Sequence, residues 1–322
     1  MIQNLIDAWY SHEEAERKSF ANGGGYLAHY TSAQGAHAIL NNNELWLTNV
    51  GSMNDLSEVH YARQVLQSLF ADPLTLPSTF VRTWPRLFIA CQKIVMEKLT
   101  REIVHGLITR NFVSCFSAEN PSDDADAGVL KYGRLSMWRG YGRDTPVRLA
   151  ISGRALTADG PSPNAPCVPV CYGKLAAFEA LLKCIQSLLD ASADESEFSN
   201  EAIEQAANHF VRLALLTIKH PAFAEENEWR LIYNTDYGRD DGLITQRQVS
   251  RLGTVDLIEV LDIGPNPPHF RNGWHDLVPH ITIGPSRHQI RTAAAFGALV
   301  ESRGLDPNSL IRIADVPFQP TQ

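Results

Sequence analysis

The stretch YLAHYTSAQGAHAILNNNELWLTN, residues 26–49, decides the fold. Tyr26 to Thr31 has the make-up of a short strand. Thr31 or Ser32 can cap a helix that runs through Ala36, Ile39 and Leu40. Asn41, Asn42 and Asn43 stop that helix. Leu45 and Leu47 then alternate with Trp46 and Thr48, which predicts a second strand. Upstream, Gly23, Gly24 and Gly25 end an opening helix that places Ile2, Leu5, Ile6 and Trp9 on one face.

Working outward, a turn at Gly51 to Asp55 leads into a helix near 57–70. A helical stretch follows over about 78–109, broken or kinked at Pro85. Residues 111–117, 147–152, 168–172 and 228–233 read as strands, and so do 257–263 and 280–283. A short helix is expected at 135–141, and longer ones near 174–190 and 200–220. A closing helix near 287–303 leads to a strand at 310–313. Glu119 to Gly128 reads as an acidic loop. The acidic segment with Asp190, Asp194, Glu195 and Glu197 reads as a solvated loop. Strands and helices mix without strict βαβ alternation, which indicates an α+β fold with a mixed, mostly antiparallel sheet and helical insertions. No linker is rich enough in Gly, Pro or Ser to force a cut. Residues 1–322 are expected to form a single domain, with an N-terminal helix over 1–22 and the core over 26–315.

Composition narrows the class. Lys plus Arg is 28 and Asp plus Glu is 36, for a net charge of −8. With 44% hydrophobic and 20% charged residues this is an ordinary globular chain, not a disordered, collagenous or disulfide-built one. The acidic balance disfavours indiscriminate nucleic-acid binding but leaves room for a local basic cleft. Glu13, Glu14 and Glu16 stand where a signal peptide would be apolar, and no run is long enough to span a bilayer, so the cytoplasm is the expected location. Five scattered cysteines fit reduced thiols. Cys167 and Cys171 form one close pair, but His209 and His220 are not at ligand spacing from it, and no metal is expected. Phosphate-loop, dinucleotide-fingerprint, zinc-protease and nucleophile-elbow motifs are all missing.

Four polar clusters remain: His29-Tyr30-Thr31; Asn54-Asp55 with Glu58; Ser114 to Ser117 with Met137, Trp138 and Tyr141; and Glu226 to Arg230. In order, LAHYTS, ELWLTNVGSMNDLSE, CFS, MWRGYG and ENEWRLI resemble the bacterial domain-of-unknown-function family 2971 over about residues 26–233. HYTSAQGAHAILNNNELW is also similar to the opening of ADP-ribosyltransferases, especially DNA-modifying toxins. Phe116-Ser117 and Met137…Tyr141 resemble later motifs of the same group. That resemblance implies the corresponding fold and transfer of ADP-ribose from NAD, in a toxin or antiphage effector with a macromolecular acceptor and possible neutralising protein.

Breaking the nicotinamide–ribose bond passes through an oxocarbenium-like transition state. It needs hydrogen bonds on the ribose, an aromatic face for nicotinamide and a carboxylate near the developing charge. By analogy His29 binds a ribose hydroxyl and Thr31 supports the ligand. Tyr30, Trp46, Trp138 or Tyr141 stacks on nicotinamide. Glu226 and Glu228 lie two apart and would share a face on a strand. Glu228 would hold the ribose, Glu226 would orient the acceptor or nicotinamide, and Arg230 would meet the pyrophosphate. The same residues have plainer roles: His29 as a satisfied core histidine, Glu228 and Arg230 as a cross-strand ion pair at a sheet surface, Met137 and Trp138 as core, Asn54-Asp55 as a turn. Two other functions stay open, a non-catalytic ligand-binding or regulatory module and a Mg²⁺-dependent nuclease or hydrolase using Asp55, Glu58, Glu226 and Glu228. The transferase reading requires His29 and Glu228 to line one cleft with an aromatic between them. It fails if they leave opposite faces of the sheet.

Overall fold

The computed structural model describes residues 15–52, 56–98, 109–121, 127–141, 145–157, 165–191, 194–237, 244–251, 254–263 and 277–316. The opening apolar face at Ile2 to Trp9, the turn at Asn54-Asp55 and most of the acidic loop after Glu119 lie outside these residues. The chain packs as two compact units, each assembled from separated stretches. Unit 1 takes 1–16, 50–111 and 169–225, and unit 2 takes 17–49, 112–168 and 226–322. Among the described residues no helix is long and apolar enough to cross a membrane.

Among the described residues unit 2 is built on a sheet of ten strands: β1 (Tyr26–Ser32), β2 (Glu44–Asn49), β3 (Asn111–Glu119), β4 (Pro146–Ser152), β5 (Cys167–Pro169), β8 (Glu228–Asn234), β9 (Ile244–Arg251), β10 (Thr254–Asp262), β11 (His280–Ile283) and β12 (Ile311–Ile313). The main path runs β12-β11-β4-β1-β3-β2-β10-β9, with β8 pairing β3 and β5. Of this sheet's pairs with a defined register, only β11–β12 is parallel. The fold is therefore α+β with a mostly antiparallel sheet, as the sequence indicates.

The deciding stretch folds as its residues dictate. Ser32 accepts a bond from the Gly35 amide and caps the helix Ala33–Asn42. Asn43 ends it in the left-handed region at φ 57°, which Asn tolerates. One face of the sheet carries Leu27, Leu45, Leu47, Phe112, Phe116, Leu149, Trp229, Leu231 and Ile281, all within one core cluster. Ala36 and Leu40 of that first helix and Phe296 and Val300 of helix Gln289–Ser302 join the same cluster. The strand β9 was not expected. Its exposed Thr, Gln and Arg residues give no apolar alternation, as befits an edge strand protected by polar side chains.

Unit 1 is largely helical, with Leu56–Phe70, Ser78–Thr83, Pro85–Lys93, Gly173–Asp190 and Asn200–Thr217. A short parallel pair, β6 (Cys171–Tyr172) with β7 (Ile218–Lys219), accompanies them. The chain breaks at Trp84, and Pro85 opens the next helix, where a missing N–H costs nothing. Glu195 corrects the reading of its segment as solvated loop. It is buried, and its carboxylate accepts from the amides of Leu87 (2.8 Å) and Arg86 (3.2 Å). A carboxylate from a distant segment thus satisfies two orphan donors at that helix start.

In unit 2, helix Leu135–Tyr141 presses Trp138 between two glycines. A Cβ on Gly284 would sit 2.7 Å from the indole, and one on Gly133 would strike it from the other side, with φ already at 74°. Gly284→Ala should therefore destabilise by about 1–3 kcal/mol, and Gly133→Ala by more because of the added backbone strain. Urea unfolding followed by Trp fluorescence would check this, and an unchanged midpoint in both variants would contradict it.

Candidate functional site

The non-core face of the unit 2 sheet is polar. Register places Arg312 beside Thr282, Thr282 beside Arg148, and Arg148 beside Tyr30, one row across β12, β11, β4 and β1. In the adjacent row His280 pairs with Ala150, and the rest of the row is small, Ala150 pairing with Ala28 and Ala28 with Ser117. Beyond it, Tyr26 pairs with Glu119. The small row leaves room for Arg148 and Glu119 to reach over it and meet. Arg148 Nε donates to Glu119 Oε1 at 3.0 Å, Nη2 pairs with Oε2, and Nη1 donates to Thr282 Oγ1 at 2.9 Å. Both side chains are fully buried. Burial pushes the Glu119 carboxyl above its usual range against the pull of Arg148.

This pair anchors the sequence motifs. Tyr30 donates to Glu119 Oε1 (3.3 Å) and accepts from the Arg134 amide (2.9 Å). Burial, then the Glu119 carboxylate, pushes its phenol upward. Arg134 Nε donates to Ser117 Oγ (2.9 Å) and Nη2 to the Ala118 carbonyl (3.1 Å). Ser117 Oγ donates to the Glu226 carbonyl at 2.6 Å. The first strand, the CFS motif, Arg134 just upstream of MWRGYG, and the ENEWR motif are thereby tied into one network. Glu119, Arg134 and Arg148 were missed from sequence. The available signal was a lone Arg inside the apolar run of β4, where a charge must find a partner.

The predicted nicotinamide platforms divide. Trp138 and Tyr30 are buried and meet edge-to-face at 4.8 Å, and Trp138 Nε1 donates to the Tyr132 carbonyl. Neither ring offers a free face, so both are structural. Trp46 and Tyr141 are exposed, Trp46 by 37%. Trp46 leaves β2 opposite Leu45 and Leu47, on the non-core face.

His29 lies on the other face. It pairs with core residue Leu149, and its ring meets that of Phe116 at 5.7 Å. Its Nδ1 lies 3.1 Å from the Cys115 carbonyl. A carbonyl only accepts, so Nδ1 carries the proton and Nε2 holds the lone pair. Burial lowers the ring's pKa despite that bond, which keeps it neutral. Thr31 shares this face and stands close over Gly35, where a Cβ would lie 2.5 Å from its Oγ1.

Glu226 and Glu228 do not share a strand face. Glu226 ends the helical turn Pro221–Glu226, and Asn227 at φ 45° breaks the alternation before β8 begins. Within β8, Trp229, Leu231 and Tyr233 enter the core, so Glu228 and Arg230 leave on the opposite face. Arg230 does not stand open for a pyrophosphate. Its Nε and Nη2 donate to the two Glu228 oxygens at 2.7 and 3.1 Å, in a buried pair along one strand. His29 and Glu228 therefore project from opposite faces, while Trp46, Glu228 and Arg230 share one. Of the carboxylates named for Mg²⁺, Asp55 lies outside the described residues and Glu58 pairs with Lys219 at 3.0 Å. Among the described residues no three His, Cys, Asp or Glu side chains gather as metal ligands.

Two outcomes follow from these contacts. Arg148→Met leaves Glu119 buried without its partner and should cost about 3–5 kcal/mol in urea unfolding, whereas adding Glu119→Leu should recover most of the loss. A double variant as unstable as the single one would contradict this. For His29, nitrogen NMR at neutral pH should show a protonated Nδ1 and a bare Nε2. The unfolded ring takes its proton near 6.5 and the folded ring only below that. This group therefore favours unfolding as pH falls through 6.5. A ring protonated at neutral pH would overturn the assignment.

Residues 137–231 match the family described as "Protein of unknown function (DUF2971)". The matched span opens on Met137 of MWRGYG and closes on Leu231 of ENEWRLI, which supports the resemblance to that family drawn from those motifs. No curated protein and no solved structure matches the chain, so the resemblance to ADP-ribosyltransferases has no relative or structural neighbour behind it.

Proposed function

We propose that the chain is a non-catalytic ligand-binding module whose site lies in unit 2. One observation carries this reading: His29 and Glu228, on which NAD cleavage would rest, leave the sheet on opposite faces. The Glu228 carboxylate is also held on both oxygens by Arg230. Freeing a carboxylate from a buried pair costs several kcal/mol, because the guanidinium is left uncompensated. His29 suits recognition better than catalysis. A neutral ring fixed through Nδ1 presents Nε2 as an acceptor, which fits a ligand that carries hydroxyl groups.

The transferase as first framed, with His29 and Glu228 in one cleft, does not survive that separation; a second reading keeps an ADP-ribosyltransferase acting on an unidentified macromolecular acceptor only with His29 left out of its site. It is favoured by one observation, the exposed indole of Trp46 on the same sheet face as Glu228 and Arg230. An aromatic surface and a carboxylate on one face are two of the three elements that nicotinamide transfer needs.

NAD titration separates the two. The full chain is followed for thermal stabilisation and for nicotinamide release, with Glu228→Gln and His29→Ala alongside. Saturable stabilisation without release, weakened in His29→Ala, is the expected result. Nicotinamide release that disappears in Glu228→Gln would overturn the binding module and establish the transferase.

A further inference from the structure

The row of side chains that contains Arg148 ends at the β12 edge in a second guanidinium. Arg148 is matched by Glu119, but among the described residues no carboxylate pairs with Arg312. Its Nη2 lies 2.9 Å from His280 Nε2. A guanidinium can only donate, so Nε2 carries the lone pair and the neutral ring holds its proton on Nδ1. That Nδ1 is shielded and has no hydrogen-bond partner. Tyr26 meets the His280 ring edge-on at 5.7 Å and bounds the same spot.

Charge makes the place more specific. Burial first, then Arg312 and Arg148, hold His280 down to about 4, so the ring adds no charge at physiological pH. Burial and the neighbouring Arg148 likewise draw Arg312 below its ordinary value. Arg312 is an exposed residue, and His280 engages its Nη2. The bond to His280 holds one arm of the fork, which reduces the ordering needed to engage a ligand with the rest. An oxyanion supplies what the place lacks: negative charge for the guanidinium and lone pairs for the remaining donors.

We propose that Arg312, oriented by His280 and flanked by Tyr26, forms an oxyanion-binding site at the β12 edge, taking a phosphate or carboxylate group. The site contains neither His29 nor Glu228, and it stands whether or not NAD binds. It is tested by isothermal titration of the full chain at low ionic strength, with inorganic phosphate in one arm and acetate in the other. Saturable binding of at least one anion is expected, and the arms tell which group the site prefers. Arg312→Gln should weaken that binding about tenfold or more, and Arg312→Lys should weaken it less. A second measurement covers a variant that fails to fold: the bound anion should protect Arg312 of the unaltered chain from phenylglyoxal, read by peptide mass. No saturable binding of either anion, equal affinity in Arg312→Gln, or labelling of Arg312 unchanged by the anion would overturn the proposal.

Discussion

The contact between Arg148 and Glu119 constrains more of unit 2 than any other. Two opposite charges lie fully buried over a sheet face, and neither could remain there alone. Their meeting requires that the side chains beneath be small, and Ala150, Ala28 and Ser117 are. It also requires the remaining oxygens and protons to be satisfied, and Thr282 and Tyr30 do this. Tyr30 then fixes the Arg134 amide, and Arg134 fixes Ser117, which holds the Glu226 carbonyl. A chain of polar contacts thus runs from the β4 ion pair to the entry of β8. Such a network specifies one arrangement because a partly satisfied version would leave buried polar groups unpaired.

This explains why several motif residues were legible as important yet mistaken in role. Tyr30 and Trp138 look like ligand platforms because aromatics beside polar residues often are. Here the hydroxyl and indole N–H both find protein partners, and two glycines close around the indole. The strand–helix–strand opening was legible nearly to the residue, since Ser32, Asn43 and the Leu45/Leu47 alternation act locally. The Glu228–Arg230 contact was weighed correctly as an ion pair, though it proved buried and within one strand. What escaped depends on distant partners. Glu119 reads as the first residue of an acidic loop, and only Arg148, far along the chain, makes it the buried end of a strand. Glu195 sits in an acidic run, and only the helix start at Pro85 gives it a burial partner.

Side-chain alternation had the largest functional consequence. The E-x-E spacing of Glu226 and Glu228 implies a shared face only if both residues are extended. The left-handed Asn227 removes that premise, and it does so at the point where Ala118 hydrogen-bonds both its carbonyl and its side chain. The same rule, applied to β1 and β8, separates His29 from Glu228 because Leu149 and Trp229 belong to one core. A one-residue change of phase suffices to move a carboxylate from one face to the other. Motif spacing therefore carries mechanistic weight only after the backbone between the motif residues is known.

The net charge of −8 takes on a different meaning when resolved by face. On the non-core side of the unit 2 sheet, Arg148 and Arg134 act on the buried Glu119, and Arg312 lies at the β12 end of the same row as Arg148. Glu119 offsets Arg148 and also feels the charge of Arg134, whereas Arg312 donates to the neutral ring of His280. The positive charge of Arg312 therefore acts at short range within an acidic chain. Beyond about 8–10 Å it is screened at physiological salt, so the overall charge governs long-range approach and the local arginine governs contact. An extended polyanion would feel the first effect, whereas a single phosphate or carboxylate at the β12 edge would feel mainly the second. That difference of range reconciles an acidic protein with a site for a small anion.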